Sequence, residues 1–98
     1  MRVLLDENLD WRLTRDFSAD FQVSTVLWQG WSGKRNSELL QLADATFDAL
    51  VAMDKSIEHQ QNLNKYCLAV IIIEAQSNRL KDVQPMMPKV NQALRSIQ

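Results

Sequence analysis

At 98 residues, with 46% hydrophobic and 23% charged side chains and only two glycines and two prolines, the chain has the make-up of one folded domain over residues 1–98. Disorder and fibrous repeats do not fit that composition. Eleven basic against twelve acidic residues leave a formal charge of -1, which excludes the strong basic bias of a protein that holds nucleic acid mainly through phosphate contacts but leaves a local basic patch open.

The lone Cys67 cannot close an internal disulfide, and Asp6-Glu7 come too early for the apolar stretch of a signal peptide. The longest apolar run, Cys67 to Ile73, is far short of the ~20 residues that cross a bilayer. A cytoplasmic protein without a membrane segment is expected.

In chain order, the first strand is expected at Val3–Leu5. Asn8 then stands where it would cap a helix, whose Leu9, Leu13 and Phe17 recur at four-residue spacing as an apolar stripe. A second strand falls within Phe21–Leu27. Gly30 and Gly33 bracket a loop, and Asn36-Ser37-Glu38 opens a second crossover helix with Leu39, Leu42 and Ala43 turned inward.

The third strand is expected at Ala49–Met53, with a short helix beginning near Ser56. The run Leu68-Ala69-Val70-Ile71-Ile72-Ile73 is apolar at every position and rich in β-branched residues, which suits a parallel strand covered on both faces. Val83, Met87, Val90, Leu94 and Ile97 then predict an amphipathic helix, in which Pro85 either starts the regular part or kinks it. The pattern is that of an α/β fold, three layers around a four-stranded parallel sheet, most simply in the order 2-1-3-4. Ligands in such a sheet bind beyond the carboxyl ends of the strands, where the chain switches sides between strands one and three.

At that edge strand one ends in Asp6, strand three in Asp54 and strand four in Glu74. Strands lie ~4.8 Å apart, so carboxylates on strands one and three would reach a shared ion, with Glu38 approaching from the first turn of the second helix. Oxygen ligands suit Mg²⁺ or Mn²⁺, whereas His and Cys are too scarce for zinc. Such an ion activates water and stabilises a phosphodiester transition state.

Structural readings stand beside these. Asp6, Glu7 and Glu38 all lie where a helix dipole favours acid, Asp54 fits as the cap of the helix near Ser56, and Glu74 fits as the place where a buried strand reaches water. Lys34, Arg35, Lys55 and Arg79, with Asn8 and Asn78, fall on loops from the same edge and are candidates for holding a substrate phosphate backbone. Asn78 fits equally as the cap of the last helix, and Gln60 and Asn62 are further polar groups at this edge. Trp28 and Trp31 flank Gly30, either as base-stacking surfaces or as packing against the sheet rim. His59 has no Ser or Cys partner at a triad spacing and receives no catalytic role.

The runs Leu4-Leu5-Asp6-Glu7-Asn8-Leu9, Gly33 to Leu40, Met53-Asp54-Lys55 and Ser77-Asn78-Arg79-Leu80, in that order, resemble the short PIN-like domains of otherwise unassigned function, from Arg2 to about Ile97. The resemblance implies kinship with Mg²⁺- or Mn²⁺-dependent ribonucleases, many of them toxins neutralised by a small antitoxin protein. It implies that Asp6 and Asp54 hold the metal, that Glu38 is a third ligand or a water-positioning base, and that RNA is the substrate.

The pattern departs from the family in two places. The further helix aspartate has only Asp44 as a candidate, and Asp44 lies six residues after Glu38, about 120° away around a helix of 3.6 residues per turn. After Asp54 the usual acidic and aromatic pair is replaced by Lys55-Ser56-Ile57. A catalytically degenerate member that works by protein binding or as a homodimer is therefore the alternative. A phosphate-accepting receiver domain is a third reading, but it requires a fifth strand ending in lysine.

Overall fold

The computed structural model describes residues 1–57 and 62–97. Its four strands are Arg2–Leu5 (β1), Gln22–Thr25 (β2), Ala49–Ala52 (β3) and Ala69–Ile72 (β4). They form an all-parallel sheet in the order β2-β1-β3-β4, as the sequence pattern leads one to expect.

The two central strands are apolar on both faces because both faces are covered. Val3, Leu5, Ala49 and Val51 point into one core with Leu9, Leu13, Phe17, Val83, Met87, Val90 and Leu94. Leu4, Leu50 and Ala52 point into the other with Leu39, Leu40 and Ala43 of helix α1 (Asn36–Thr46). The alternation follows from the two-residue repeat of a strand, and burial on both sides is what removes polar residues from it.

The first crossover differs from expectation. Leu9, Leu13 and Phe17 are buried as predicted, but the chain through them is a 3-10 helix, η1 (Trp11–Asp16), and its cap is Asp10, whose carboxylate accepts the Arg12 N–H. Asn8 does not cap it. The crossover must travel back along a four-residue strand of roughly 13 Å. Six residues rise about 12 Å as a 3-10 helix but about 9 Å as an α-helix, so the tighter winding reaches further with the same chain.

The carboxy-terminal helix is also interrupted. Leu80–Val83 (α2) leads through a 3-10 turn, η3 (Gln84–Met86), into Met87–Ser96 (α3). Pro85 sits in the 3-10 turn and the regular helix starts after it, Pro88 occupying its first turn, where a missing N–H costs nothing. Val83, Met87, Val90 and Leu94 are buried as predicted, whereas Ile97, beyond the last helical residue, is exposed. A further 3-10 turn, η2 (Leu63–Lys65), precedes β4 and is capped by Asn62. Among the described residues no helix is long and apolar enough to cross a membrane.

Candidate functional site

The chain leaves β1 for β2 by way of η1 on one face and returns to β3 by way of α1 on the other, so the crossovers part between β1 and β3. Parting crossovers leave a crevice at the carboxyl ends of these strands. Asp6, the residue after β1, stands there and is only 7% exposed. Its N–H donates to Val51 O at 2.9 Å, which holds the residue against β3.

An open cleft of about 750 Å³ lies beside it, with Asp6, Glu7, Thr25, Arg12, Asn78 and Arg79 among its walls. Burial pushes the Asp6 carboxyl above its usual range. The Glu7 N–H works against that shift, the Glu7 charge adds to it, the Asn8 N–H again opposes it, and the charge of Asp54 adds the last upward contribution. A buried carboxylate with other negative charges around it takes up a proton or gains from a nearby cation.

The loops around Asp6 are tied together. The Gly33 N–H donates to Glu7 Oε1 at 3.2 Å, and Asn78 Nδ2 donates to the Asn8 carbonyl at 2.9 Å. Gly33 has φ of +79°, a conformation that side-chain-bearing residues rarely adopt, so glycine is what lets this amide face Glu7. Asn78 is therefore a tether between two loops and does not cap the last helix. Arg35 and Arg79 occupy the cap positions of α1 and α2 without side-chain capping bonds.

Asp54 follows β3 by two residues, and continuing the register Leu5↔Val51 sets Asp6 level with Ala52 rather than with Asp54. The Asp54 carboxylate accepts the Ser56 N–H at 2.8 Å, so its capping role is real. Ser56, through its hydroxyl and its amide, holds the Asp54 carboxyl below its usual value, with a smaller contribution from the side chain of Asn36. Asn36 was expected only to open α1. Its place beside Asp54 was not foreseeable from a residue type that is ordinary at a helix start.

The remaining predicted residues divide. Glu38 is exposed in the first turn of α1. Glu74 is exposed and pairs with Lys55 at 3.1 Å, which gives both side chains a partner away from Asp6. Asp44 accepts the Leu68 N–H at the start of β4, the amino end of the sheet, opposite to the cleft. Lys34 and Arg35 are exposed just beyond Gly33, and neither forms an ion pair with a described residue. His59 and Gln60 lie outside the described residues.

Trp31 packs edge-on against Phe47, at 6.0 Å between ring centres, whereas Trp28 is exposed. Trp11, also exposed and lining the cleft, was not foreseen as a site residue. The available signal was its position off the Leu9-Leu13-Phe17 stripe, which turns a large aromatic outward.

The donor set bears on a metal in two ways. Among the described residues no three His, Cys, Asp or Glu side chains are grouped closely enough to hold an ion by themselves. Mg²⁺ is commonly held by one or two carboxylates together with waters and substrate phosphate, and Asp54 is near enough for its charge to raise the Asp6 carboxyl. Comparison with protein-family models, with curated proteins and with solved structures found no match to this chain.

Proposed function

We propose that the chain is a PIN-like, Mg²⁺- or Mn²⁺-dependent endoribonuclease, with Asp6 and Asp54 as metal ligands and Glu38 as a further ligand or water-positioning base. The observation that carries this reading is Asp6: a carboxylate buried at the carboxyl end of a central strand, raised in pKa by that burial, and lining an open cleft. Groups with such shifts concentrate at functional sites. A divalent ion there supplies Lewis-acid polarisation of a phosphate and a more acidic water.

The protein's own part is to hold Asp6 through the β1–β3 hydrogen bond and to brace its loop through Gly33 and Asn78. Arg79, at the wall of the cleft, presents a cation to a phosphate backbone, and Lys34 and Arg35 present theirs from the loop after Gly33. Within the same reading the chain is the toxin of a toxin–antitoxin pair, restrained by a small protein partner. A short reading frame adjoining its own gene supports that assignment, and its absence argues against it.

A Mg²⁺ or Mn²⁺ titration followed by NMR tests the core of the proposal. Amides around Asp6 and Asp54 shift together if the two share an ion, and RNA cleavage disappears in Asp6→Asn. No shift at millimolar metal removes the metal-dependent form of the hypothesis.

A second reading, a degenerate domain that acts by protein binding or as a homodimer, draws on three observations. Asp54 is already satisfied by Ser56, Lys55 by Glu74, and Asp44 lies at the opposite edge of the sheet. Metal-independent partner capture that survives Asp6→Asn favours this second reading.

A further inference from the structure

Among the described residues the exposed large hydrophobic side chains are Trp11, Leu27, Trp28 and Ile97, and the first three gather at one place. Trp11 and Leu27 line the Asp6 cleft, and the ring of Trp28 lies 6.5 Å from that of Trp11, tilted by 53°. We propose that Trp11 and Trp28 form a stacking subsite for an unpaired nucleobase at the mouth of this cleft.

The backbone that carries the rings is tied down before any ligand arrives. The Trp28 N–H donates to Thr25 Oγ1 at 3.0 Å, and the next turn is closed by Gln29 N–H to Thr25 O and Trp31 N–H to Val26 O. Trp11 opens η1 directly after its cap, Asp10. Two indoles that brace one another on pinned backbone lose little freedom when a third flat ring stacks on them.

The surroundings select among flat ligands. Arg79, Ser32, Asn8 and Glu7 border the aromatic residues on the cleft side, a polar margin that an apolar protein partner would have to desolvate. Of the exposed cations that form no ion pair with a described residue, Arg79 lines this cleft, and Lys34 and Arg35 follow shortly after Ser32, which also lines it. Aromatic faces beside unpaired cations are the combination that binds single-stranded nucleic acid, whose bases offer a free face while its phosphates take the charge. A duplex hides those faces within its own stack, so the subsite discriminates by strandedness.

The subsite rests on the nuclease reading only for what happens to the strand afterwards, since stacking needs no metal. Binding is measured on the full chain in EDTA at fixed ionic strength, by anisotropy of a labelled short RNA and by quenching of the tryptophan fluorescence. Single-stranded RNA is expected to bind more tightly than a duplex of the same sequence. Trp11→Ala and Trp28→Ala are each expected to weaken binding by about tenfold, the scale of one lost base stack. Trp28→Phe, which keeps an aromatic face, recovers most of that loss, and unchanged melting temperatures show that the variants fold.

The proposal is overturned if both alanine variants bind like the parent or if the duplex binds as tightly as the single strand. It is also overturned if the tryptophan changes alter only self-association, which assigns the patch to a protein interface. Tight, tryptophan-dependent binding with no cleavage in added metal sinks the nuclease reading and leaves the subsite standing. Cleavage indifferent to both tryptophans does the reverse.

Discussion

Asp6→Asn separates the cost of a buried charge from every other role of this residue. Burial raises the folded-state pKa of Asp6 above the ordinary aspartate value of 3.8, so the folded protein holds this proton to higher pH than the unfolded chain does. Stability from the protonated carboxyl is therefore fully present below about pH 4 and is lost as pH rises through the raised folded value. Asparagine keeps an oxygen to accept the Glu7 and Asn8 amides but carries no charge.

The variant is thus expected to melt higher than the parent at pH 7 in EDTA, with the difference closing as pH falls towards 4. Each unit of pKa shift is worth about 1.4 kcal/mol, and each 1 kcal/mol moves the midpoint of a domain this size by about 4–8 °C, so thermal melts across pH read the shift directly. Mg²⁺ narrows the gap if the proposed site exists, because a ligand at ten times its Kd adds about 1.4 kcal/mol to the parent and nothing to the variant. A variant less stable than the parent at pH 7 in EDTA, by a margin that shrinks as pH falls towards 4, refutes the reasoning: the carboxylate's amide hydrogen bonds would then outweigh its desolvation.

Three further outcomes are expected. Asp54→Ala loses the Ser56 cap and about 1 kcal/mol in urea melts, whereas Asp54→Asn keeps the cap and the stability but abolishes the NMR response to Mg²⁺. Asp10, held at about 2 by Arg12, contributes stability above its unfolded value that fades as pH falls from about 4 towards 2, so the deficit of Asp10→Ala in melts shrinks over that window. Asn78→Ala frees the Asn8 carbonyl and costs about 0.5–1.5 kcal/mol locally, read as faster hydrogen exchange of the amides from Glu7 to Leu9 with the β3 amides unchanged.

Much of the fold was legible because burial leaves a period in the residues. The run from Leu68 to Ile73, apolar at every position, argued for a parallel strand covered on both faces; β4 is parallel but stands at the sheet edge with Ala69–Ile72 only half-buried, and the strands covered on both faces are β1 and β3. The stripe Leu9-Leu13-Phe17 correctly named the buried residues of the first crossover but assigned it the wrong helix and the wrong cap. Spacing reports which side chains face the core, whereas the rise per residue depends on how far the chain has to travel back.

The place of Asp6 was legible and its surroundings were not. That strands one, three and four end in acids follows from the sequence, yet Asp6 is buried while Glu74 is exposed and paired with Lys55. Nothing in either local run distinguishes them. Asp44, a plausible ligand by residue type, turned out to serve the amino end of β4, and Asn78 a neighbouring loop rather than its own helix.

Hydrophobic period and β-branched runs are properties of the chain as written, so the layer order and the strands could be read from them. The place of Asp6 at the carboxyl end of the first strand could be read in the same way. Which carboxylate loses its water, which acid becomes a cap or an ion-pair partner, and which tryptophans stay exposed are settled in the assembled fold. These depend on groups brought in from distant segments, the Val51 carbonyl against the Asp6 amide, the Gly33 amide against Glu7 and the Trp28 ring against Trp11. Desolvation and hydrogen bonding are set by those neighbours in space, which no local pattern records.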